Sequence, residues 1–518
     1  MIIGKVYATA DTPSTPTGFY FWTKDTGLLN PFDIIKAGDG ADAAYAVVER
    51  ISHTSDAPDL LAEYLSNGMG DPEVSSDVKR IKMTSVWARL LGRFDENGDI
   101  LDDISPVPAG TEVHICNEKE IIRALNMPKH GIPVGSVSMY NASHTVTVPL
   151  KVDIRYITGP DGAHLNVSGV SGLAAKTSYL MFLLNAIRQN DKNDDTAFII
   201  FNVKGRDLMN IDKDTTAGNR EDVYRALGLE AKPIGNVKYF VPEEYVFTLK
   251  ECEDELKFFF ESDESGTMES CCAYVLGKLK DGSIGNWNDL VKMFGEDNKD
   301  DLKNYGIQER SWNKFMRVLK PRVENSKLFR NEDLSKEEKD LRDLSNYVLN
   351  VLKGGETMVV DVAPLDNSIQ SFVFGTVLQA AEMLKDKKCS REGKEGTAPS
   401  KIIIFFDELN KYVSSDSYFP ALKNLLLEIT ERGRSLGLIL FGAEQFLSAI
   451  HPRIKGNCAT FVYGRTPVSE LAASDYSGMP ETYRNMIPGL SPGQMIFSNA
   501  SLRAPVRIKF PKEVFERE

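Results

Sequence analysis

The stretch GVSGLAAKTS, residues 169–178, ends in a lysine and hydroxyl residues, and a long apolar run follows it. An ammonium such as that of Lys176 can reach phosphate oxygens, and a hydroxyl such as that of Thr177 can complete the shell of a magnesium ion. At a helix start after a glycine-containing turn, backbone N–H groups and the helix N-terminus cradle phosphate beside such a pair. The usual pattern for this loop is G-x-x-x-x-G-K-[ST]. Aligned on Lys176 and Thr177, this chain puts Val170 and Ala175 where the two glycines belong. Gly169 and Gly172 stand close by, as if the loop held one extra residue. Alanine resists a positive φ, so an ordinary backbone is expected at Ala175. The residues expected to line a nucleotide are Gly169, Ser171, Gly172, Leu173, Ala174, Ala175, Lys176, Thr177 and Ser178. Alone, the motif does not separate a nucleotide site from a chance Lys-Thr.

A second group of residues adds weight. KIIIFFDELN places Asp407 and Glu408 at the end of a continuous apolar strand, the Walker B arrangement. There an aspartate holds Mg²⁺ and a glutamate polarises the attacking water. The plainer reading is a strand that ends in surface acids. LGLILFGAEQF ends in Glu444 and Gln445, and a polar residue there can sense a γ-phosphate or simply face solvent.

These side chains need a frame. AHLNVSG (163–169) reads as a strand before the loop, and KTSYLMFLLNAIRQ (176–189) as an apolar helix after it. FIIFNVKG, MVVDVAPL, KIIIFFDE, LGLILFGAE and CATFVYGRT are continuous apolar runs separated by helical patterns. Such strands indicate a parallel sheet covered on both faces. Between the first two lies a polar stretch, 206–350, read as a mostly helical insertion. It holds YVFTLKECEDELKFFFESDE and SWNKFMRVLKPRVENSKLF, both with helical spacing of apolar residues. KDKKCSREGKEGTAPS (385–400) has no apolar face and reads as a solvated loop. Before residue 150 the texture differs: short β-type runs at 2–9, 18–23, 44–50, 112–116, 133–137 and 144–150 suggest a small barrel or sandwich. A helical insertion is expected within it, around 59–68 and 119–128. The expected domains are therefore 1–150, a core of 151–205 with 351–518, and the insertion 206–350.

The bulk properties exclude several classes. A chain of 518 residues is too long for one ordinary core. Its longest apolar runs fall short of the roughly 18–20 residues of a membrane span, and no signal peptide is evident. Six cysteines (116, 252, 271, 272, 389, 458) form no C-x-x-C pair and suggest thiols in a reducing cytoplasm. A net charge of −13 argues against a generally basic nucleic-acid coat, although a ring or cleft needs only a local positive stripe.

The order of these motifs resembles the HerA branch of the HerA–FtsK translocases over nearly the whole chain. IGKV near residue 3 and GIPVGSV near 131 are similar to the opening and closing strands of that family's N-terminal β-barrel. FIIFNVKGRDL, EITERGRSLGLILFGAEQF and NCATFVYGRT resemble successive core segments, and VKYFVP (237–242) is similar to a strand entering the helical insertion. LSPGQMIFSNASLRAPVRIKF (490–510) resembles the segment that braces a neighbouring subunit. Two departures stand out. The family loop is usually G-x-T-G-S-G-K-[ST], and many members carry an arginine where this chain has Ala163, before His164. Any arginine finger must then lie elsewhere, with Arg434 and Arg465 as candidates, unless both are packing or capping residues.

The resemblance implies an α/β P-loop RecA-like core with an N-terminal small β-barrel and an inserted helical subdomain. It implies a homohexameric ATPase using ATP and Mg²⁺ to move double-stranded DNA. Lys176 would bind phosphate, Thr177 and Asp407 the metal, and Glu408 the water, with Gln445 as sensor. It also implies a separate nuclease or NAD-degrading effector, in an anti-phage defence setting, docked on residues 1–150. Two alternatives stay open: an ATP-dependent scaffold that regulates an effector without pumping DNA, and a conjugative coupling ATPase, which commonly carries N-terminal membrane spans.

Overall fold

Alternating apolar and polar residues in the N-terminal strands need one buried face and one wet one, and a closed antiparallel barrel supplies both. The structure, a computed structural model, describes residues 1–518 except 25–26, 41–42, 72, 74–79, 96–98, 171, 173–174, 216–219, 250–254, 262–264, 294–298, 330–333, 387–397, 414–418 and 517–518. The chain divides into two units, Met1–Asp153 with Pro467–Phe510, and Ile154–Thr466 with Pro511–Glu518. Cys252 and Cys389 lie outside the described residues, as does most of the expected solvated loop.

In the first unit, β1 (Ile2–Tyr7), β2 (Gly18–Thr23), β3 (Ile34–Ala37), β4 (Ala44–Ser55), β5 (Lys82–Arg93) and β6 (Glu112–Ile115) close in the order β1-β2-β5-β4-β3-β6. Phe19 and Phe21 point inward from β2, while Tyr20 and Trp22 alternate with them at the surface. Closure leaves no strand edge exposed. Neither β3 nor β5 is among the expected runs: β3 is only IIKA, and β5 mixes polar and apolar residues without a clean alternation. The short helix Leu60–Ser66 lies between β4 and β5, whereas Glu118–Ala124 follows β6. The expected closing strand GIPVGSV is corrected. It forms β7 (Ile132–Met139), which lies outside the barrel and pairs antiparallel with β8 (Val146–Val152). β6 does the closing, pairing antiparallel with β1.

The second unit carries β9 (Leu165–Ser168), β10 (Thr196–Asn202), β11 (Val237–Phe240), β12 (Thr357–Asp361), β13 (Lys401–Asp407), β14 (Leu438–Glu444) and β15 (Thr460–Tyr463). They lie parallel in the order β11-β12-β10-β13-β14-β9-β15. Every residue of β10 and β14 is buried, as strands covered on both faces require. Long helices Lys176–Asn190, Asn367–Lys385 and Pro420–Leu436 accompany them. The expected mixed α/β core and N-terminal barrel are both present.

The stretch 206–350 holds the strand expected at 237–242 and departs from expectation at one helix. Its strand β11 joins the sheet beside β12. The helix expected over 245–264 is instead a 3₁₀ turn, Leu256–Phe259, among the described residues. The reason lies in Phe258, Phe259 and Phe260, all buried. Three successive rings do not share one helix face. Phe259 stacks on Phe372 at 4.1 Å and Phe260 on Phe315 at 5.0 Å. Phe258 lies against Gly375, where a Cβ would come within 2.2 Å of the ring. The second expected helix is present as Glu309–Asn325.

Near the C-terminus, β16 (Gln494–Asn499) and β17 (Val506–Lys509) pair antiparallel, and β17 pairs with β7. Residues 467–510 thus group with the first unit, although the sequence suggested the core. The contacts explain it. Tyr483 stacks on Phe32 at 3.6 Å and its hydroxyl donates to the Val48 carbonyl, while Asn126 donates to the Ser501 carbonyl.

Candidate active site

Parallel strands bring their C-terminal ends to one edge, which is where open α/β sheets present ligand-binding loops. β9 ends at Ser168, between β14 and β15. The Gly169 N–H donates to the Glu444 carbonyl at 3.1 Å, and the Val170 N–H to the Arg465 carbonyl at 2.8 Å. Both neighbours therefore anchor the entry of the loop. Ser171, Leu173 and Ala174 lie outside the described residues.

Ala175 corrects an expectation. It sits at the helix N-cap with φ 47° and ψ 37°, in the left-handed region, rather than in an ordinary backbone. The Tyr179 N–H donates to its carbonyl at 2.9 Å, which closes the first helical turn. An L-residue there costs roughly 1–2 kcal/mol relative to right-handed backbone. Ala175 has the least side chain with which to bear that strain.

Lys176 is 6% exposed, and its ammonium donates to the Gly169 carbonyl at 2.6 Å. Burial pushes its pKa down, and the carboxylates of Asp407 and Glu444 pull the other way. The ammonium is thus turned back onto the residue that follows β9. The Thr177 hydroxyl donates to Oδ2 of Asp407 at 3.3 Å. Ser178 is buried in the first turn. Burial raises the Asp407 pKa, countered by the ammonium groups of Lys204 and Lys176.

Glu408 follows directly, with φ 57°. Its N–H donates to Oδ1 of Asp407 at 3.0 Å, and its carboxylate pairs with the ammonium of Lys204. Lys204 was not singled out from sequence. Its only signal there is position: it follows β10, the strand beside β13.

Glu444 and Gln445 part company in the structure. Glu444 is fully buried, and burial pushes its pKa up to about 8, with Asn166 and Lys176 opposing the shift. Asn166 and Ser168 of β9 are buried too, and Ser168 pairs in register with Glu444. Gln445 is half-buried, one residue beyond the strand. The readable sign of this polar group was Asn166 and Glu444 inside otherwise apolar strands.

The two arginines are separated. Arg465 is exposed just after β15, and its carbonyl holds the loop. Arg434 is exposed in the last turn of Pro420–Leu436, shortly before β14 begins. It therefore lies toward the opposite end of the strands from Asp407. His164 is buried and held near pKa 4 chiefly by that burial, and its Nδ1 accepts from the Leu440 N–H at 3.0 Å. That makes it a neutral packing residue.

Among the described residues, no group of three or more His, Cys, Asp or Glu side chains is arranged to hold a metal alone. One hydroxyl and one carboxylate, as in Thr177 and Asp407, instead suit Mg²⁺ held jointly with substrate phosphates. Among the described residues, no helix is long and apolar enough to cross a membrane.

No family model matches the chain, and no curated protein matches it. Several solved structures are similar. VirB4 of Thermoanaerobacter pseudethanolicus shares 13% identity over 74% of this chain and 97% of its own, with a TM-score of 0.45. The plasmid coupling protein TrwB, in complex with the ATP analogue ADPNP, shares 12% over 76% of this chain and 97% of its own, at 0.44. The genome packaging NTPase B204 of Sulfolobus turreted icosahedral virus 2, with ATP-gammaS, shares 15% over 32% of this chain and 71% of its own, at 0.24.

Proposed function

We propose that this chain is a P-loop ATPase that assembles into a ring, a homohexamer, and uses ATP hydrolysis to move double-stranded DNA. The observation that carries the ATPase reading is the convergence of Lys176, Thr177, Asp407 and Glu408 at the ends of β9 and β13. Lys176 pairs with the β- and γ-phosphates in place of the Gly169 carbonyl. Thr177 and Asp407 hold Mg²⁺, which when bound offsets phosphate charge. Glu408 orients the attacking water and accepts its proton. The loop from Gly169 to Ser178 wraps the phosphates, and Gln445 reads the γ-phosphate. An arginine of a neighbouring subunit, Arg434 or Arg465, stabilises transition-state charge; both are exposed, as that role requires.

The DNA and ring readings rest on the resemblance to HerA-like translocases in motif order, as does a cytoplasmic setting in anti-phage defence. On that reading a separate nuclease or NAD-degrading effector docks on residues 1–150. The second reading is an ATP-switched scaffold for that effector, favoured by the net charge of −13, which suits DNA poorly.

The test is ATP turnover by a size-characterised oligomer, with and without duplex DNA. Stimulation by DNA supports the motor. Turnover indifferent to DNA but responsive to an effector supports the scaffold. Absence of ATP binding and turnover overturns both.

A further inference from the structure

Glu408 is held from an unexpected side. Its backbone is in the left-handed region, which non-glycine residues seldom occupy and which clusters at functional sites. Its N–H is taken by Asp407 Oδ1, and its carbonyl accepts from the Lys411 N–H at 3.0 Å. The backbone thus aims the side chain, and the ammonium of Lys204 meets the carboxylate Oε1.

Lys204 is itself placed by a buried network. The Asn202 amide, at the end of β10, donates to the Gly205 carbonyl at 2.9 Å and to Asp361 Oδ1 at 2.9 Å. Asn202 is buried, and Asp361 ends β12 on the far side of β10. The turn bearing Lys204 is therefore tied to β12, while its side chain crosses toward the end of β13. Both members of the pair remain partly exposed, so solvent or a ligand can reach them. The same ammonium also acts on Asp407, favouring its ionised form. Asn202 thus fixes the backbone beside Lys204, and the pair with Glu408 holds its side chain.

We propose that Lys204 is a positioning residue for hydrolysis: its ammonium fixes the carboxylate of Glu408 and, through it, the water that attacks ATP. This inference rests on the ATPase reading above. Lys204 need not touch the nucleotide. Its work is to hold one base in one orientation, where misplacement of a general base forfeits much of its contribution.

The test uses the full chain with Lys204→Met, Lys204→Arg, Glu408→Gln and the Lys204→Met/Glu408→Gln double variant. Single-turnover hydrolysis and the affinity for a fluorescent non-hydrolysable ATP analogue are measured for each. The expected result for Lys204→Met is a drop of about 10- to 100-fold in hydrolysis rate. Analogue affinity should stay within about twofold, and Lys204→Arg should recover most of the rate. In the double variant hydrolysis should be no slower than in Glu408→Gln alone, because a residue acting through Glu408 has nothing left to act on. An unchanged rate in Lys204→Met overturns the proposal, and so does a further loss in the double variant. A loss confined to analogue binding overturns it as well, by making Lys204 a nucleotide ligand. If instead wild type binds no ATP, or Glu408→Gln hydrolyses at the wild-type rate, the site reading fails and the proposal falls with it.

Discussion

The hydroxyl of Thr177 donates to Asp407 Oδ2 across 3.3 Å, although 230 positions separate the two residues in the chain. Neither needs the other for packing: Thr177 opens a helix and Asp407 ends a strand. A hydroxyl facing a carboxylate at that distance is a ready pair of hard oxygen donors. Asp407→Asn and Thr177→Val should each weaken the Mg²⁺ dependence of ATP-analogue binding by about 10- to 100-fold, the scale of losses when a metal's supporting groups are altered. Titrating Mg²⁺ at fixed analogue checks this. Equal Mg²⁺ dependence in wild type and both variants would remove the pair from the metal site.

The left-handed Ala175 makes a separate prediction about stability. The strain of an L-residue at φ 47° is relieved by glycine, while glycine's freer unfolded chain takes part of that back. The balance should stabilise Ala175→Gly by ~0.5–1 kcal/mol. In an ordinary helical position the same change would destabilise by a similar amount. Urea unfolding distinguishes the signs. A lower midpoint for Ala175→Gly would mean that the ligand-free loop does not hold Ala175 left-handed.

The core of this site was legible because its strands are continuous apolar runs. KIIIFFDE became β13 with only its ends partly exposed, and KTSYLMFLLNAIRQ became the helix that begins at Lys176. The signal weakened where residues answer to distant partners. Phe258, Phe259 and Phe260 read as part of a helix, yet Gly375, Phe372 and Phe315 take their rings. β7 read as a barrel strand, but β8 and β17 pair with it. Lys204 carries no local mark, because its role depends on β10 lying beside β13. Ala175 misled for a different reason: a general preference against positive φ was outweighed by the geometry of a loop turning into a helix.

The arginine question can be decided by mixing subunits. Arg434 lies toward the end of the strands away from Asp407, so it cannot serve its own P-loop directly, whereas Arg465 adjoins its own loop through its carbonyl. Arg434→Ala and Arg465→Ala should each lower turnover if they act on phosphate. A residue acting across an interface should regain activity when its alanine variant is mixed with Lys176→Ala subunits. Each such interface can then pair an intact loop from one subunit with an intact arginine from the other. Turnover in mixtures that stays at the sum of the separate variants would exclude that arginine as a finger in trans. Arg434 is expected to be rescued.

Glu444 yields the sharpest test of electrostatics under the loop. Its folded pKa is pushed up to about 8 by burial, from an ordinary value of 4.5. Between those values the folded carboxyl keeps a proton that the unfolded chain has released, so rising pH removes stability across that window and stops doing so above it. Other groups shift in the lower part of the range, Asp407 upward and His451 downward among them. Asp33, raised to about 7, also loses stability as pH rises to that value, and His164, lowered to about 4, gains it up to 6.5. Of Glu444, Asp33 and His164, Glu444 carries most of the titration between about pH 7 and about pH 8.5, where its contribution falls by ~1 kcal/mol, while Asp33 completes its smaller loss near the lower end. The urea midpoint of the wild type should therefore decline over that interval. In Glu444→Gln the amide keeps the shape and cannot ionise, so the decline should become shallower, and the variant should be the more stable chain at the upper pH. The comparison needs only unfolding curves of the two proteins at both pH values. Parallel declines would mean that Glu444 is ionised throughout, with Asn166 and Lys176 stabilising its charge more strongly than burial opposes it.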